Sequence, residues 1–361
     1  MKRKIVILTL IFLCLTSTTF AFCIEIIQRS EVNFGVAYDI EYTGNTVYVT
    51  GNHGVEVIDV YDRSNPKTIK QLNTAEGCFG VEIVDDRLYV AGITDGLLIY
   101  DVTEPTDPQL LGTHPIVALN VFVQGDYAYV LSGEMWSIID VTDSENPTTV
   151  SETYTDRMNF RILKVDDAVY IGEDRIGLKV YDVSDPENPE LIRTVSNTAG
   201  IFDIAVQDDV LYLACHGNGV KSLDIHDRTN PQWLDTYRDS GEAYGCHIVD
   251  GLLLVADLQE GIKILNVTDP TSITLTASFT GTHPHGVTGD ENYVYLADQD
   301  HGLEIFQYGD DIEASTDEPE QPEDDPENEL EETEKNLIPI PMASILTGVI
   351  FVVLFLTRKI Q

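Results

Sequence analysis

One position recurs at intervals of about 41 residues and is occupied in turn by Asp39, Gly80, Asn120, Arg161, Asp203, Gly245 and Gly286. Acid, amide and guanidinium groups gathered by such a repeat around one opening could hold a ligand. Asp39, Asn120, Arg161 and Asp203, together with His285 just before Gly286, are therefore the candidate ligand-binding set. Carboxylate and amide oxygens could also seat a hard cation such as calcium. Arg161 on the same rim argues against a tight all-carboxylate site, and no other cofactor is expected. The residue just before each member is Tyr38, Phe79, Leu119, Phe160, Phe202, Tyr244 or His285. These form a ring of one bulky side chain per repeat, expected to wedge between neighbouring units.

A second set pairs thiol with imidazole, Cys215-His216 and Cys246-His247. Thiolate and imidazole together could bind zinc, although no CxxC or HxxxH spacing supports it. In an oxidising compartment a Cys215–Cys246 disulfide is the competing expectation, and two unlinked buried thiols a third. The chain has no GxSxG, HExxH, Walker or GxGxxG motif, so linear motifs give no catalytic residue. Asn266-Val267-Thr268 is a glycosylation sequon at a strand-end position.

The element that must position these residues is the repeat itself. Its anchor is Asp59, Asp101, Asp140, Asp182, Asp224, Asn266 and Gln307, each closing an alternating apolar run such as GVEVIDV or GLKVYDV. Glycine stands five residues before the anchor in every copy except the third, which has Met135. One copy divides into YDIEYTG, NTVYVTG, GVEVIDV and KTIKQLN, four runs with the period of two and the Tyr, Val and Ile content of strands. Short polar turns join the first two runs. Loops ending in Asn-Pro or Asp-Pro lead into the fourth, where proline suits a strand entrance.

Four strands per 41 residues is the sequence signature of a propeller blade. The seventh copy stops after its third strand near Gly309, while CIEIIQRSEVNFG at the start resembles the fourth strands. The expected fold is an all-β, seven-bladed β-propeller whose last blade is closed by residues 23–31. The alternative is an open or six-bladed array with a stray strand, which would leave an unpaired ladder.

The blocks LYVAGITDGLLIYDVTEPTDP and VYIGEDRIGLKVYDVSDPENP resemble the LVIVD repeat of archaeal and bacterial surface proteins. The resemblance covers nearly all of residues 22–309. It implies a β-propeller at the cell exterior and brings no catalytic residue, because the shared motif is strand core and turn. The third repeat, with Met135, and the sixth, with TDPTSIT in place of an Asn-Pro loop, depart from the pattern.

Residues 1–21 read as a secretory signal, three basic residues followed by an apolar run and small residues. A lipoprotein reading at Cys23 is opposed by Phe22, and an uncleaved anchor is the alternative. Residues 310–336 are too acidic and proline-rich to form a core and read as an extended stalk. Residues 337–357 carry no charge and are long enough to cross a bilayer, with residues 358–361 as a basic cytoplasmic tail. That segment also resembles a processed C-terminal sorting signal. The expected location is the cell membrane, single-pass, with the propeller outside.

The chain holds 61 acidic and 21 basic residues, a net charge of −40, which excludes phosphate-backbone binding and hence nucleic acid as a partner. In propeller wiring, the starts of the first strands and the loops from second to third strand share one face. Seven of the eight histidines, His53, His114, His216, His247, His283, His285 and His301, are expected on or just inside it, and His226 opposite. Three functions follow as expectations: a binding or scaffold module for a surface protein, glycan or peptide; an extracellular hydrolase or lyase; or a structural envelope component.

Overall fold

The computed structural model describes residues 25–309 apart from 156, 174, 175, 197 and 199. The expected signal peptide, Cys23, acidic stalk and membrane segment lie outside the described residues. Among these, 28 strands form seven four-stranded antiparallel sheets.

Blade 1 consists of β2 (Ala37–Thr43), β3 (Thr46–Gly51), β4 (Gly54–Asp59) and β5 (Lys67–Asn73). Blade 2 has β6 (Cys78–Val84), β7 (Arg87–Gly92), β8 (Gly96–Asp101) and β9 (Gln109–His114). In blade 3 these become β10 (Asn120–Gln124), β11 (Tyr127–Leu131), β12 (Met135–Asp140) and β13 (Thr148–Tyr154). Blade 4 follows with β14 (Asn159–Val165), β15 (Ala168–Glu173), β16 (Gly177–Asp182) and β17 (Glu190–Val195). Blade 5 comprises β18 (Asp203–Gln207), β19 (Val210–Ala214), β20 (Val220–Asp224) and β21 (Gln232–Tyr237). Blade 6 comprises β22 (Ala243–Val249), β23 (Leu252–Asp257), β24 (Gly261–Asn266) and β25 (Thr274–Phe279).

Blade 7 takes β26 (Pro284–Gly289), β27 (Tyr293–Asp298) and β28 (Gly302–Gly309) from one end of the described chain and β1 (Glu25–Val32) from the other, in the order β1-β28-β27-β26. The expected closure is present. Even its irregularity fits: β1 shifts register against β28 between Gln28 and Ser30, where β28 passes from Phe306 to Ile305. Blade 1 shifts at the corresponding step, Val57 to Ile58. The N-terminal strand therefore reproduces the bulge of an ordinary outer strand.

The anchor aspartates are turn chemistry. Asp59, Asp101, Asp140, Asp182 and Asp224 each accept, through Oδ1, the backbone N–H two residues on, at 2.7–2.9 Å. Asn266 does the same at 3.0 Å. Such Asx turns close the third strand and launch the loop toward the fourth. The glycine five residues earlier is equally explained. Gly54 has φ +118°, and a Cβ there would come within 1.9 Å of the Leu72 carbonyl oxygen on the outer strand. Blade 3 does without it by placing Gly133, at φ +80°, two residues before Met135.

The core lies between blades. Each pair of adjacent sheets shares one buried apolar cluster: Tyr48, Val55 and Val57 meet Val81, Leu88 and Val90 between blades 1 and 2. Val47, Val49 and Ile58 meet Tyr295, Leu303 and Ile305 where blade 7 closes on blade 1. The inner strands are left facing an axial channel.

Candidate functional site

At the channel mouth, the inner strands make room for an extra residue. β2 passes Tyr38 and Asp39 across the single Thr50 of β3, and β6, β14, β22 and β26 each bulge at the ring position, Phe79, Phe160, Tyr244 and His285. A bulge re-aims side chains and breaks strict alternation. Two successive residues of one strand, the ring residue and the rim residue, therefore both reach the same cavity. It has a volume of about 410 Å³ and is lined by all five candidate ligand-binding residues, Asp39, Asn120, Arg161, Asp203 and His285.

The ring residues do more than wedge between blades. Phe79 meets Tyr38 edge-on at 4.7 Å, and Tyr38 stacks on His285 at 5.7 Å. His285 lies 5.3 Å from Tyr244, which lies 4.4 Å from Phe202, which stacks on Phe160 at 4.5 Å. Six rings form an arc, and Leu119 and Met158 complete the cavity wall. His285 is fixed by an Nδ1 contact of 3.1 Å with the Ala37 carbonyl oxygen across the blade 7–blade 1 boundary.

Below the arc, charge replaces aromatic surface. Arg161 Nε lies 2.8 Å from Asp203 Oδ1, and its Nη1 lies 3.4 Å from Asp39 Oδ2. Each rim acid also ties its own strand to the next blade. Asp39 accepts the N–H of Val81 at 3.2 Å, and Asp203 that of Cys246 at 2.8 Å. Asn120 accepts that of Ile162 at 3.4 Å. The rim glycines are there for clearance: a Cβ on Gly245 would lie 2.6 Å from the His285 carbonyl oxygen. The rim is thus inter-blade clamp and cavity floor at once.

Burial raises the Asp39 carboxyl above the usual range even though Arg161 pulls it down, and Asp203 behaves likewise. Burial also works against the Arg161 charge, but Asp203 and then Asp39 outweigh it and hold the guanidinium firmly protonated. Two residues further along β2 and β6, Glu41 and Glu82 share this field. Burial lifts both, Glu82 to about 8, and the charge of Glu82 adds to the lift on Glu41. This second acidic layer was not anticipated from sequence, although it stands two residues beyond Asp39 and Gly80 on the same face of each strand.

The Cys-His set does not assemble. Cys215 and Cys246 are free, buried thiols, so of the two expectations, a disulfide or two unlinked thiols, the structure has the second. The reason is that they lie on opposite faces of blade 5. Cys215 packs with Leu163, Leu178 and Ile201 between blades 4 and 5, and Cys246 with Tyr212, Leu253 and Val255 between blades 5 and 6. His216 turns to the collar, 5.5 Å from Phe202 and 5.4 Å from Tyr244. His247 lines a separate cavity of about 670 Å³ with Gln207, Asp250 and Asp290. The zinc expectation on these four residues therefore has no common centre.

The histidines as a group also disperse. His285 lines the mouth, whereas His114 contacts the Pro147 carbonyl and Thr149 hydroxyl beside β13. His283 and His301 pair with Asp300 and Asp298 on blade 7.

Solved structures similar to this one include the WD40 β-propeller domain of Doa1, at 13% sequence identity and TM-score 0.63, the match covering 78% of this chain and 97% of that one. The computationally designed Ika8 protein is similar at 11% identity and TM-score 0.56, covering 75% and 83%. At such identities the likeness is one of fold alone. No curated protein matches the chain. The LVIVD repeat matches residues 34–74, 80–114, 117–155, 166–197 and 286–306, which fall in blades 1 to 4 and blade 7. Blades 5 and 6 continue the same four-strand unit between them. The chain is thus a seven-bladed β-propeller in which five of the blades match the LVIVD repeat.

Proposed function

We propose that this propeller is a binding module held outside the cell by its C-terminal segment, and that its channel mouth receives a basic side chain from a peptide segment of another surface protein. The observation that carries this reading is the arc of six aromatic rings above an acidic floor. Aromatic faces attract cations, and the attraction strengthens where water is displaced. On the floor, the carboxyl groups of Asp39 and Asp203 outnumber the single guanidinium of Arg161, and Glu41 and Glu82 beneath them are held toward the neutral form by burial. A lysine or arginine entering the collar would find aromatic faces along its stem and carboxylates at its tip. The net charge of −40 draws basic partners toward the molecule from a distance. The signal-like residues 1–21 and the apolar residues 337–357 support an exported, membrane-tethered setting.

The test is a peptide array probed with the full-length chain in detergent at low and moderate salt. Peptides with a central Lys or Arg should be retained, and their glutamate counterparts should not. The double substitution Phe202→Ala/Tyr244→Ala should reduce binding about tenfold or more, at hot-spot scale, while the strand signal in circular dichroism is preserved. Equal binding by the collar variant would remove the proposal. Turnover of a peptide or glycan that is lost in the same variant would replace it with the hydrolase or lyase reading.

A further inference from the structure

Blades 6 and 7 build the same loop and place opposite charges in it. In blade 6 the carboxylate of Asp257, at the end of β23, accepts the backbone N–H groups of Glu242, Gln259 and Glu260 at 2.9, 3.2 and 3.0 Å. Lys263, the third residue of β24, returns its Nζ to Asp257 at 2.5 Å, Asp239 at 2.5 Å and Glu260 at 3.1 Å. In blade 7, Asp298 ends β27 and accepts the N–H groups of His283, Asp300 and His301 at 2.5, 2.8 and 2.9 Å. Those are the three corresponding positions. The third residue of β28, however, is Glu304, and the place of Glu260 is taken by His301. Blade 4 repeats the lysine version, with Lys179 Nζ 2.9 Å from Glu173.

Blade 7 therefore keeps the carboxylate cradle and puts a second acid where its neighbour has an ammonium. Asp298 is 0% and Glu304 2% exposed. Glu304 Oε1 accepts a hydrogen bond of 2.9 Å from Gln28 on β1, while Oε2 is buried with no hydrogen-bond partner, as is Thr282 Oγ1. A buried oxygen left in this state has lost its hydration with nothing in exchange. The ligand atoms of Asp298, His301 and Glu304 lie within 4.8 Å of one another. His301 Nδ1 is 3.1 Å from Asp298 Oδ1 and 3.8 Å from Glu304 Oε1.

We infer that blade 7 carries a divalent metal site formed by Asp298, His301 and Glu304, where blade 6 seats the ammonium of Lys263. One imidazole and two carboxylates form a mixed nitrogen and oxygen donor set that suits zinc and similar first-row ions rather than calcium, which takes oxygen alone. Two carboxylate charges are balanced by a dication. Three protein ligands leave a fourth position for water, the pattern of an open zinc site. Because Gln28 of β1 bonds one ligand, metal binding here also bears on the strand that closes the ring.

The experiment uses the full-length chain stripped with a chelator and titrated with Zn²⁺ in a calorimeter, with thermal unfolding measured alongside. One ion should bind per chain and raise Tm, since a ligand of the native state stabilises it. His301→Ala and Glu304→Gln should each weaken binding about tenfold or more. Asp39→Asn should leave it unchanged. Glu304→Lys places an ammonium beside Asp298, as Lys263 stands beside Asp257 in blade 6. It should fold, lose the site, and melt in chelator at or above the temperature of the metal-free parent. No saturable zinc binding, or binding equally strong in His301→Ala and Glu304→Lys, would overturn the inference and leave the excess acidic groups as the source of any signal.

Discussion

Arg161 on β14 and Asp39 on β2 lie 3.4 Å apart across the channel mouth although 122 residues separate them. The same guanidinium holds Asp203 on β18, so one side chain braces blade 1 to blades 4 and 5. Replacing Arg161 with Met removes the cation and leaves two largely buried carboxylates facing each other. We expect a loss of about 3–5 kcal/mol in urea unfolding. Adding Asp39→Asn and Asp203→Asn to the same chain should restore most of it. An unchanged midpoint in Arg161→Met would show that the brace carries no load.

The acidic layer beneath this brace gives a pH dependence of defined sign. Burial raises Glu41 and Glu82 in the folded state, Glu82 from 4.5 to about 8. A raised folded value means that the native state holds its proton more tightly than the unfolded chain does. The associated stability is complete below about pH 4.5 and is lost as pH climbs toward about 8. Tm should therefore fall over that range, by several degrees as an order of magnitude. The double substitution Glu41→Gln/Glu82→Gln should flatten the slope. A slope identical in parent and variant would assign it to the net negative charge of the whole surface.

Ring closure yields a third expectation. Without residues 25–32, β28 would keep its bonds to β27 but present an unpaired edge, and Val32 would be lost from the blade 7–blade 1 core. Deletion should broaden the unfolding transition and cost several kcal/mol, about the scale of losing a packed core element. Retention of the parental melting temperature would contradict a stabilising role for β1.

The thiols supply a direct chemical check. Burial pushes Cys78 and Cys215 up to about 12 and Cys246 well upward, so little thiolate is present at neutral pH. All three should resist alkylation in the folded chain and react promptly in denaturant, as read by intact mass. A Cys215–Cys246 link would instead appear as a pair that stays unreactive in denaturant until a reductant is added.

The fold was largely legible because a blade is written twice over, as alternating apolar residues and as turn residues whose geometry demands them. Asp59 and Gly54 announce strand ends through Asx chemistry and a positive φ. The sequence left a Cys215–Cys246 disulfide and two unlinked thiols both open, because proximity in sequence pattern says nothing about which face of a strand a thiol takes. The position of each is set by the bulge and pleat of neighbouring strands. Rim and ring were both found by counting one residue per repeat, yet Phe202 and Tyr244 were expected to wedge between blades, and they line the same cavity as the rim. A strict period of two places successive side chains on opposite faces, and the bulge abolishes that rule locally. Asp298, His301 and Glu304 were missed because each looks ordinary in its own strand, and only comparison with Asp257, Glu260 and Lys263 shows the exchanged charge.

The pairing of β1 with β28 has a consequence for how the molecule is made. At about 5–20 residues per second, the ribosome delivers β28 roughly 15–60 s after β1. Throughout that interval the arc is incomplete and its first strand has no partner. In crowded conditions two arcs growing side by side offer each other the missing piece, and exchange of β1 between them would produce an interlocked dimer of otherwise correctly built blades.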